Sequence, residues 1–106
     1  EQNMKQYVTI VGARHYYGIQ AFKIGMIVEL RKNPENEYDD EAIEVYSQWD
    51  AHLGNVSNSV YTRAKGTHSA GFCQALIGDT AKAVIRFIYD DMAIAEVETD
   101  TEMGGM

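Results

Sequence analysis

The feature that most constrains this chain is the segment at 33–45, which joins a set of turn-forming residues to an alternating strand. It begins with an Asn-Pro turn and continues with Asn36 and Asp39, whose side chains can accept hydrogen bonds from backbone N–H groups just ahead. Such bonds would fix the direction of Tyr38. Two interpretations follow: a rigid corner that feeds a strand, or a small recognition site in which a ring stands beside a carboxylate.

The length of 106 residues fits one domain, because a chain of this size buries roughly two-thirds of the surface that its unfolded form exposes. The single cysteine, Cys73, lies in an apolar run and has no second cysteine to pair with. This predicts a buried thiol and an intracellular, cytoplasmic location. Neither a basic, apolar leader nor a stretch of about 20 apolar residues is found, so we expect no secretion signal and no membrane span. The sequence starts at Glu1, so it can be part of a longer protein.

The net charge of −7 limits the partners of the chain. Residues 1–65 contain seven basic and nine acidic side chains, whereas residues 66–106 contain two basic and seven acidic ones. Binding to duplex DNA depends mainly on Lys and Arg contacts with phosphates, and few such residues are present. Broad, tight duplex binding is therefore disfavoured. A small site that combines base stacking with one or two phosphate contacts fits the composition.

Apolar alternation and closely spaced turn signals predict short strands rather than long helices. The expected strands cover residues 5–13, 26–31, 42–46, 52–56, 72–77, 82–89 and 92–98. One short helix is expected at 59–65, capped by Ser57 or Asn58 and closed by a glycine. Residues 1–98 would then form a mostly β domain, a small curved sheet or barrel of about six strands with one short helix. The acidic tail at 99–106 would be disordered.

Motifs for metal binding and catalysis are missing from the sequence. His15, His52 and His68 are scattered and distant from the single cysteine, so they lack the spacing of a zinc site. The acidic run at 35–41 has enough oxygen atoms for Ca²⁺ but not the alternating ligands and the glycine of an EF-hand loop. Neither a phosphate-binding glycine loop nor a nucleophile elbow is present. We therefore expect no cofactor and no enzymatic activity, and a hydrolase is the least supported alternative.

Three separated stretches of the chain together resemble one family. Residues 10–18 read IVGARHYYG, residues 30–45 read LRKNPENEYDDEAIEV, and residues 53–56 read LGNV. This pattern is similar to that of a HIRAN domain, in which a Val-Gly strand and an Arg-aromatic-aromatic loop are followed by a corner containing Asn and Tyr-Asp and by a Gly-containing strand. The resemblance covers residues 8–65 closely and the other residues only through the order of the strands.

The resemblance implies an OB-like barrel that binds the free 3′ end of single-stranded DNA, with a fused or associated helicase or nuclease and a role in DNA repair. Carried over by position, it implies a nucleotide pocket with one wall made of Arg14, His15 and Tyr16 and the other made of Asn36, Tyr38 and Asp39. The rings would sandwich the terminal base, at about 1 to 3 kcal/mol per stacked base, and the Arg would meet a phosphate. Asp39 would accept a hydrogen bond from the 3′-hydroxyl and repel a 3′-phosphate or a continuing strand.

Two departures from the family pattern are expected to weaken DNA binding. His15 stands where many members carry the first of two aromatic residues, and a neutral imidazole stacks less extensively than a phenol. Asn55 and Asn58 stand where DNA-holding members carry basic residues, although Arg63 and Lys65 are expected to compensate in part.

The alternative function is a protein-interaction or regulatory domain that keeps the barrel without binding nucleic acid. The net charge of −7 and the two asparagines favour it. Trp49, which is expected to be partly exposed at a hairpin tip, favours it as well, because an exposed Trp is typical of a contact surface.

Overall fold

Six antiparallel strands close into a barrel in the computed structural model, which describes residues 5–98. The strands are β1 (Gln6–Val11), β2 (Ile27–Lys32), β3 (Ile43–Tyr46), β4 (His52–Val56), β5 (Thr80–Tyr89) and β6 (Met92–Val97). Their order around the barrel is β1-β4-β3-β2-β5-β6, and pairing between β6 and β1 completes it. One α-helix, α1 (Ala70–Leu76), occurs in the described residues. The predicted fold, a mostly β, OB-like barrel of about six strands with one short helix, is confirmed.

Aliphatic side chains that alternate along the strands fill the interior of the barrel. Fully or almost fully buried are Val8, Ile10, Val28, Leu30, Ile43, Val45 and Ile85. Since successive side chains of a strand point to opposite faces, the residues between them point outward. On β2 and β3 these outward residues include Arg31 and Tyr46, which take part in the surface described below.

Six of the seven predicted strands correspond to β1 to β6, with ends that agree to within about two residues. The tail predicted at 99–106 lies outside the described residues. Within residues 5–98, the structure has no helix with the length and apolar character needed to cross a membrane.

The predicted helix at 59–65 is wrong, because hydroxyl side chains bond the backbone of this segment. Ser59 Oγ accepts a hydrogen bond from the N–H of Tyr61 at 3.1 Å. The buried Thr9 accepts one from the N–H of Ala64 at 3.0 Å. Such bonds satisfy groups that a helix would otherwise pair, and the segment runs as a series of turns.

The helix lies instead at α1, where a strand was predicted at 72–77. Ser69 caps it by accepting a hydrogen bond from the N–H of Phe72 at 3.1 Å. Ala70 and Cys73 are both fully buried and lie three residues apart, so they are on the same face of the helix. An apolar run this short does not distinguish a strand from a buried helix by period. Burial raises the pKa of the Cys73 thiol to about 11, in agreement with the predicted buried cysteine.

Candidate nucleic-acid interface

A tight turn at the end of β1 exposes two of the predicted site residues. Gly12 has a φ of +79°, a left-handed conformation that suits glycine, and a 3₁₀ turn at Ala13–His15 follows it. Ala13 is buried and anchors the turn. Arg14 and His15 consequently project into solvent.

Arg14 forms an ion pair with an acid on the neighbouring hairpin. Its Nη1 lies 3.6 Å from Oδ2 of Asp91, in the turn between β5 and β6. A cavity of about 260 Å³ beside this pair is also lined by Tyr61, whose side chain is 94% exposed, and by Met92. The sequence analysis did not predict that Tyr61, Asp91 and Met92 line a cavity with Arg14. The sequence feature that pointed to Tyr61 is its position as an aromatic residue in a polar segment.

Tyr16 belongs to a four-layer stack that we call the aromatic column: Tyr16, His52, Tyr46 and Arg31. The rings of Tyr16 and His52 have centroids 4.1 Å apart at an angle of 24°, and those of His52 and Tyr46 are 4.8 Å apart at 21°. Arg31 Cζ lies 3.9 Å from the centroid of the Tyr46 ring, a cation–π contact. One face of Tyr16 is therefore covered by His52, and only the other face can meet a base.

Acidic groups hold the end of the aromatic column opposite Tyr16. Arg31 forms ion pairs with Asp50 and with Glu29, and Glu29 Oε1 accepts a hydrogen bond from Arg31 Nε at 2.7 Å. The hydrogen bonds to Asp50 and Glu29 raise the pKa of Arg31. Tyr46 donates its hydroxyl to Glu44 Oε1 at 2.9 Å. Burial, followed by this hydrogen bond, raises the pKa of Tyr46. The Arg31 charge is thus already balanced within the protein.

The corner at 33–41 has the local hydrogen bonds predicted for it. Asn36 Oδ1 accepts from the N–H of Tyr38 at 2.9 Å and from that of Asp39 at 3.0 Å. Asp39 Oδ1 accepts in turn from the N–H of Glu41 at 2.9 Å. The backbone is fixed on both sides of Tyr38, while its side chain is 90% exposed.

Asn58 connects this corner to the start of α1. Its Nδ2 donates to Asp39 Oδ2 at 3.0 Å and to Glu41 Oε1 at 3.2 Å, and its Oδ1 accepts from the N–H of Gly71 at 2.8 Å. Gln74 of α1 donates to the backbone carbonyl of Glu41 at 2.8 Å. Asn58, predicted as a DNA contact, therefore has both ends of its amide bonded within the protein.

Asn55 lies beside the turn at 12–16. It is paired with Val11 in the register between β1 and β4, and its Oδ1 is 3.2 Å from Nε2 of His52. Its Nδ2 lies 3.8 Å from the point where a Cβ on Gly12 would stand, and the His15 ring lies 3.9 Å from the same point.

The predicted residues therefore form two groups that flank one short segment, residues 55–58. The turn that carries Arg14 and His15 lies beside Asn55, and Tyr16 is linked to Asn55 through His52. Asn58 bonds Asp39, which belongs to the corner with Asn36 and Tyr38. Three residues of chain span at most about 10 Å between α-carbons, so Asn55 and Asn58 lie within the dimensions of a nucleotide. Among residues 5–98 no group of three His, Cys, Asp or Glu side chains is arranged to hold a metal ion. The groups exposed by these residues are aromatic ring faces, the Arg14 guanidinium and the Asp39 carboxylate.

Two solved structures share the fold. A protein from Lactobacillus plantarum superposes with a TM-score of 0.62 at 22% identity, covering 87% of this chain and 88% of that one. The HIRAN domain of human HLTF superposes with a TM-score of 0.61 at 20% identity, covering 88% of this chain and 74% of that one. At these identities the likeness shows the fold alone. A comparison with curated protein sequences gives no match.

A family model for the HIRAN domain matches residues 4–93 of the chain. The match includes the turn at 12–16, the corner and the segment at 55–58, and so all eight predicted site residues. With the barrel topology and the two structural neighbours, it establishes that the chain belongs to the HIRAN domain family, whose members are DNA-binding modules.

Proposed function

We propose that this domain binds the free 3′ end of single-stranded DNA between the turn at 14–16 and the corner at 36–39. The observation that carries the proposal is Tyr38, an aromatic side chain that is 90% exposed on a backbone fixed by Asn36. Because the backbone at Tyr38 is already fixed, little backbone entropy is lost when a base stacks on the ring. The same binding would serve a fused or associated helicase or nuclease that acts on strand ends, in DNA repair in the cytoplasm.

The stacking surface for the terminal base would come from both groups of residues. Tyr38 offers its ring from the corner, while His15 and the uncovered face of Tyr16 offer theirs from the turn. Base–aromatic stacking contributes about 1 to 3 kcal/mol per base and tolerates any base sequence. Binding should therefore depend on the strand end more than on its sequence.

Asp39 would distinguish a 3′-hydroxyl from a 3′-phosphate. Each of its carboxylate oxygens accepts one hydrogen bond within the protein, Oδ1 from Glu41 and Oδ2 from Asn58. A carboxylate oxygen has two lone pairs, so Asp39 retains acceptor capacity for a hydroxyl donor. A terminal phosphate would instead place negative charge against negative charge.

Few cations support the phosphate contacts, and we therefore expect weak binding with a shallow salt dependence. Arg14 is the predicted phosphate ligand, and Asp91 partly neutralises it at 3.6 Å. One phosphate contact on a single strand corresponds to a slope of about −0.7 in log affinity against log salt concentration. A slope several times steeper would indicate a basic surface that this interface does not contain.

Fluorescence anisotropy with a short labelled oligothymidylate at about 50 mM salt tests the proposal, because phosphate contacts are strongest at low salt. We expect the 3′-hydroxyl strand to bind at least about tenfold more tightly than the same strand with a 3′-phosphate. The Asp39→Asn variant, which removes the charge but keeps an acceptor, should reduce that preference. Equal affinity for the two strands, or no binding, would overturn the claim of end recognition.

A protein-interaction or regulatory role is the second candidate, and Trp49 favours it. The side chain of Trp49 is 81% exposed, and Ser47 Oγ fixes its hairpin by accepting from the N–H groups of Trp49 and Ala51, each at 3.1 Å. A cavity of about 300 Å³ next to this hairpin is lined by residues that include Ile27 and Gln48. If the domain captures a basic protein, and this capture is kept in Tyr38→Ala but lost in Trp49→Ala, the result would support this role over DNA binding.

A further inference from the structure

His52 lies at the centre of the aromatic column and contacts two residues of the proposed interface that come from different elements. It is the first residue of β4, opposite Tyr46 of β3 in the strand register. Its ring stacks on both Tyr16 and Tyr46, and it bonds Asn55 through Nε2. No motif in the sequence singled it out, and it is not one of the predicted DNA contacts.

The two oxygen atoms near Nε2 of His52 indicate that this nitrogen carries a hydrogen. Nε2 lies 3.0 Å from the backbone oxygen of Gly54 and 3.2 Å from Oδ1 of Asn55. A carbonyl oxygen only accepts, so Nε2 must be the donor. The single imidazole N–H is shared between the two oxygens, and Oδ1 of Asn55 is the farther acceptor.

This hydrogen bond determines where the amide donors of Asn55 point. With Oδ1 bound to His52, Nδ2 is directed to the turn at 12–16, near the point where a Cβ on Gly12 would stand and where the His15 ring also lies. Two N–H groups are thus presented beside the turn that carries Arg14. Rotation of the amide by half a turn would present an acceptor there, which suits a DNA phosphate poorly.

The same ring fixes Tyr16 by stacking. The phenol is 41% exposed, and with its centroid 4.1 Å from that of His52 it rests on the imidazole rather than moving freely in solvent. Tyr46 in turn supports the imidazole, and Arg31 lies over Tyr46. The orientation of Tyr16 therefore depends on a chain of contacts that begins at β2.

We infer that His52 is a positioning residue for the DNA-end interface: one imidazole orients the ring of Tyr16 by stacking and the amide of Asn55 by hydrogen bonding. The inference deepens the proposed function and rests on it. It needs no contact between His52 and DNA. Its consequence is that changes at His52 and Asn55 affect DNA affinity jointly, not independently.

A double-mutant cycle with the labelled 3′-hydroxyl oligothymidylate tests this coupling. His52→Phe keeps a stacking ring and removes the donor, so affinity should fall about threefold, as for one lost hydrogen bond. Asn55→Ala should cause a similar or larger loss. The double variant should bind no more weakly than Asn55→Ala alone, whereas full additivity would overturn the role of the hydrogen bond.

His52→Gln supplies the converse variant, because it retains an N–H donor and loses the ring. Its loss of affinity should disappear in a Tyr16→Ala background, and persistence of the loss there would overturn the stacking role. His68→Phe is the matched control: His68 stacks on Phe72 at 4.1 Å and 17°, neither residue is a predicted site residue, and the replacement should leave affinity unchanged. An equal loss in His68→Phe would mean a general effect of stability and would refute the inference. Absence of binding by the wild-type domain would refute the proposed function itself, so the two failures are distinguishable.

Discussion

The two sides of the proposed interface each present a tyrosine, but different parts of the two residues are held in place. Tyr16 is held through its side chain, which stacks on His52 within the aromatic column. Tyr38 is held through its backbone, which Asn36 and Asp39 fix with local hydrogen bonds, while the residue is 90% exposed. The first residue should therefore contribute to both folding and binding, and the second to binding alone.

This difference explains why exposure by itself does not identify a ligand site. Tyr61 is 94% exposed and Trp49 is 81% exposed, yet neither is one of the eight predicted site residues. What separates Tyr38 from them is the next residue in the chain, Asp39, a hydrogen-bond acceptor whose carboxylate is bonded by Asn58. In the proposed function, Tyr38 and Asp39 would contact a base and a hydroxyl of the same nucleotide.

Tyr38→Ala gives the largest expected separation between binding and stability. Removal of the ring should lower affinity for the 3′-hydroxyl oligonucleotide by about 1 to 3 kcal/mol, the contribution of one base–aromatic stack. The melting temperature should stay within about 1 °C of wild type, because little buried area is lost. Anisotropy titrations and thermal unfolding on the same preparation measure both quantities.

Two comparisons sharpen this result. Tyr16→Ala should lower both affinity and melting temperature, since it removes a stacked ring from the aromatic column. Trp49→Ala, which removes a large exposed ring outside the predicted site, should change neither. If Tyr38→Ala destabilised the domain as much as Tyr16→Ala, the contrast between the two sides would be wrong.

Asn36→Ala tests how the corner is held and has the next largest expected effect. The variant removes the acceptor for two backbone N–H groups, so the free energy of unfolding should fall by about 1 to 2 kcal/mol. Because the corner then loses its fixed shape, oligonucleotide affinity should fall as well. Asn36→Asp keeps the acceptor and should retain most of the stability in denaturant titrations. Equal losses in both variants would mean that the local hydrogen bonds do not hold the corner.

Local chemistry made the corner and the strands predictable from sequence. Asn36 and Asp39 form backbone bonds within three residues, so their geometry depends on little else. The alternation in β5 and β6 likewise reflects which face of each strand is buried. The helix was predicted at the wrong place because Ser69 and Ser57 are equally good caps by residue type. Tertiary contacts, such as the hydrogen bond from Ala64 to Thr9, determine which segment forms the helix.

The aromatic column was not predictable for a different reason. Its members, Tyr16, Arg31, Tyr46 and His52, come from one turn and three strands, and they meet only because the register places Tyr46 opposite His52. A single-residue slip would turn these side chains toward the other face of the sheet. For the same reason, the sequence predicted Asn55 and Asn58 as site positions but not the partners that occupy their amides.

The smallest expected effect concerns Arg14, the cation of the turn at 14–16, and here a substitution should improve binding. Asp91 lies 3.6 Å from Arg14, and both side chains are largely exposed, so the pair contributes less than about 1 kcal/mol. Asp91→Asn should release the guanidinium and strengthen oligonucleotide binding about two- to threefold at low salt, with a smaller gain as salt rises. Asp90→Asn is the matched control, since it removes the same charge from the adjacent residue, whose left-handed backbone (φ 56°) asparagine tolerates. A gain in Asp91→Asn that exceeds the gain in Asp90→Asn would assign the effect to Arg14. Equal gains would assign it to net charge alone and would leave the corner, not the turn, as the side that determines affinity.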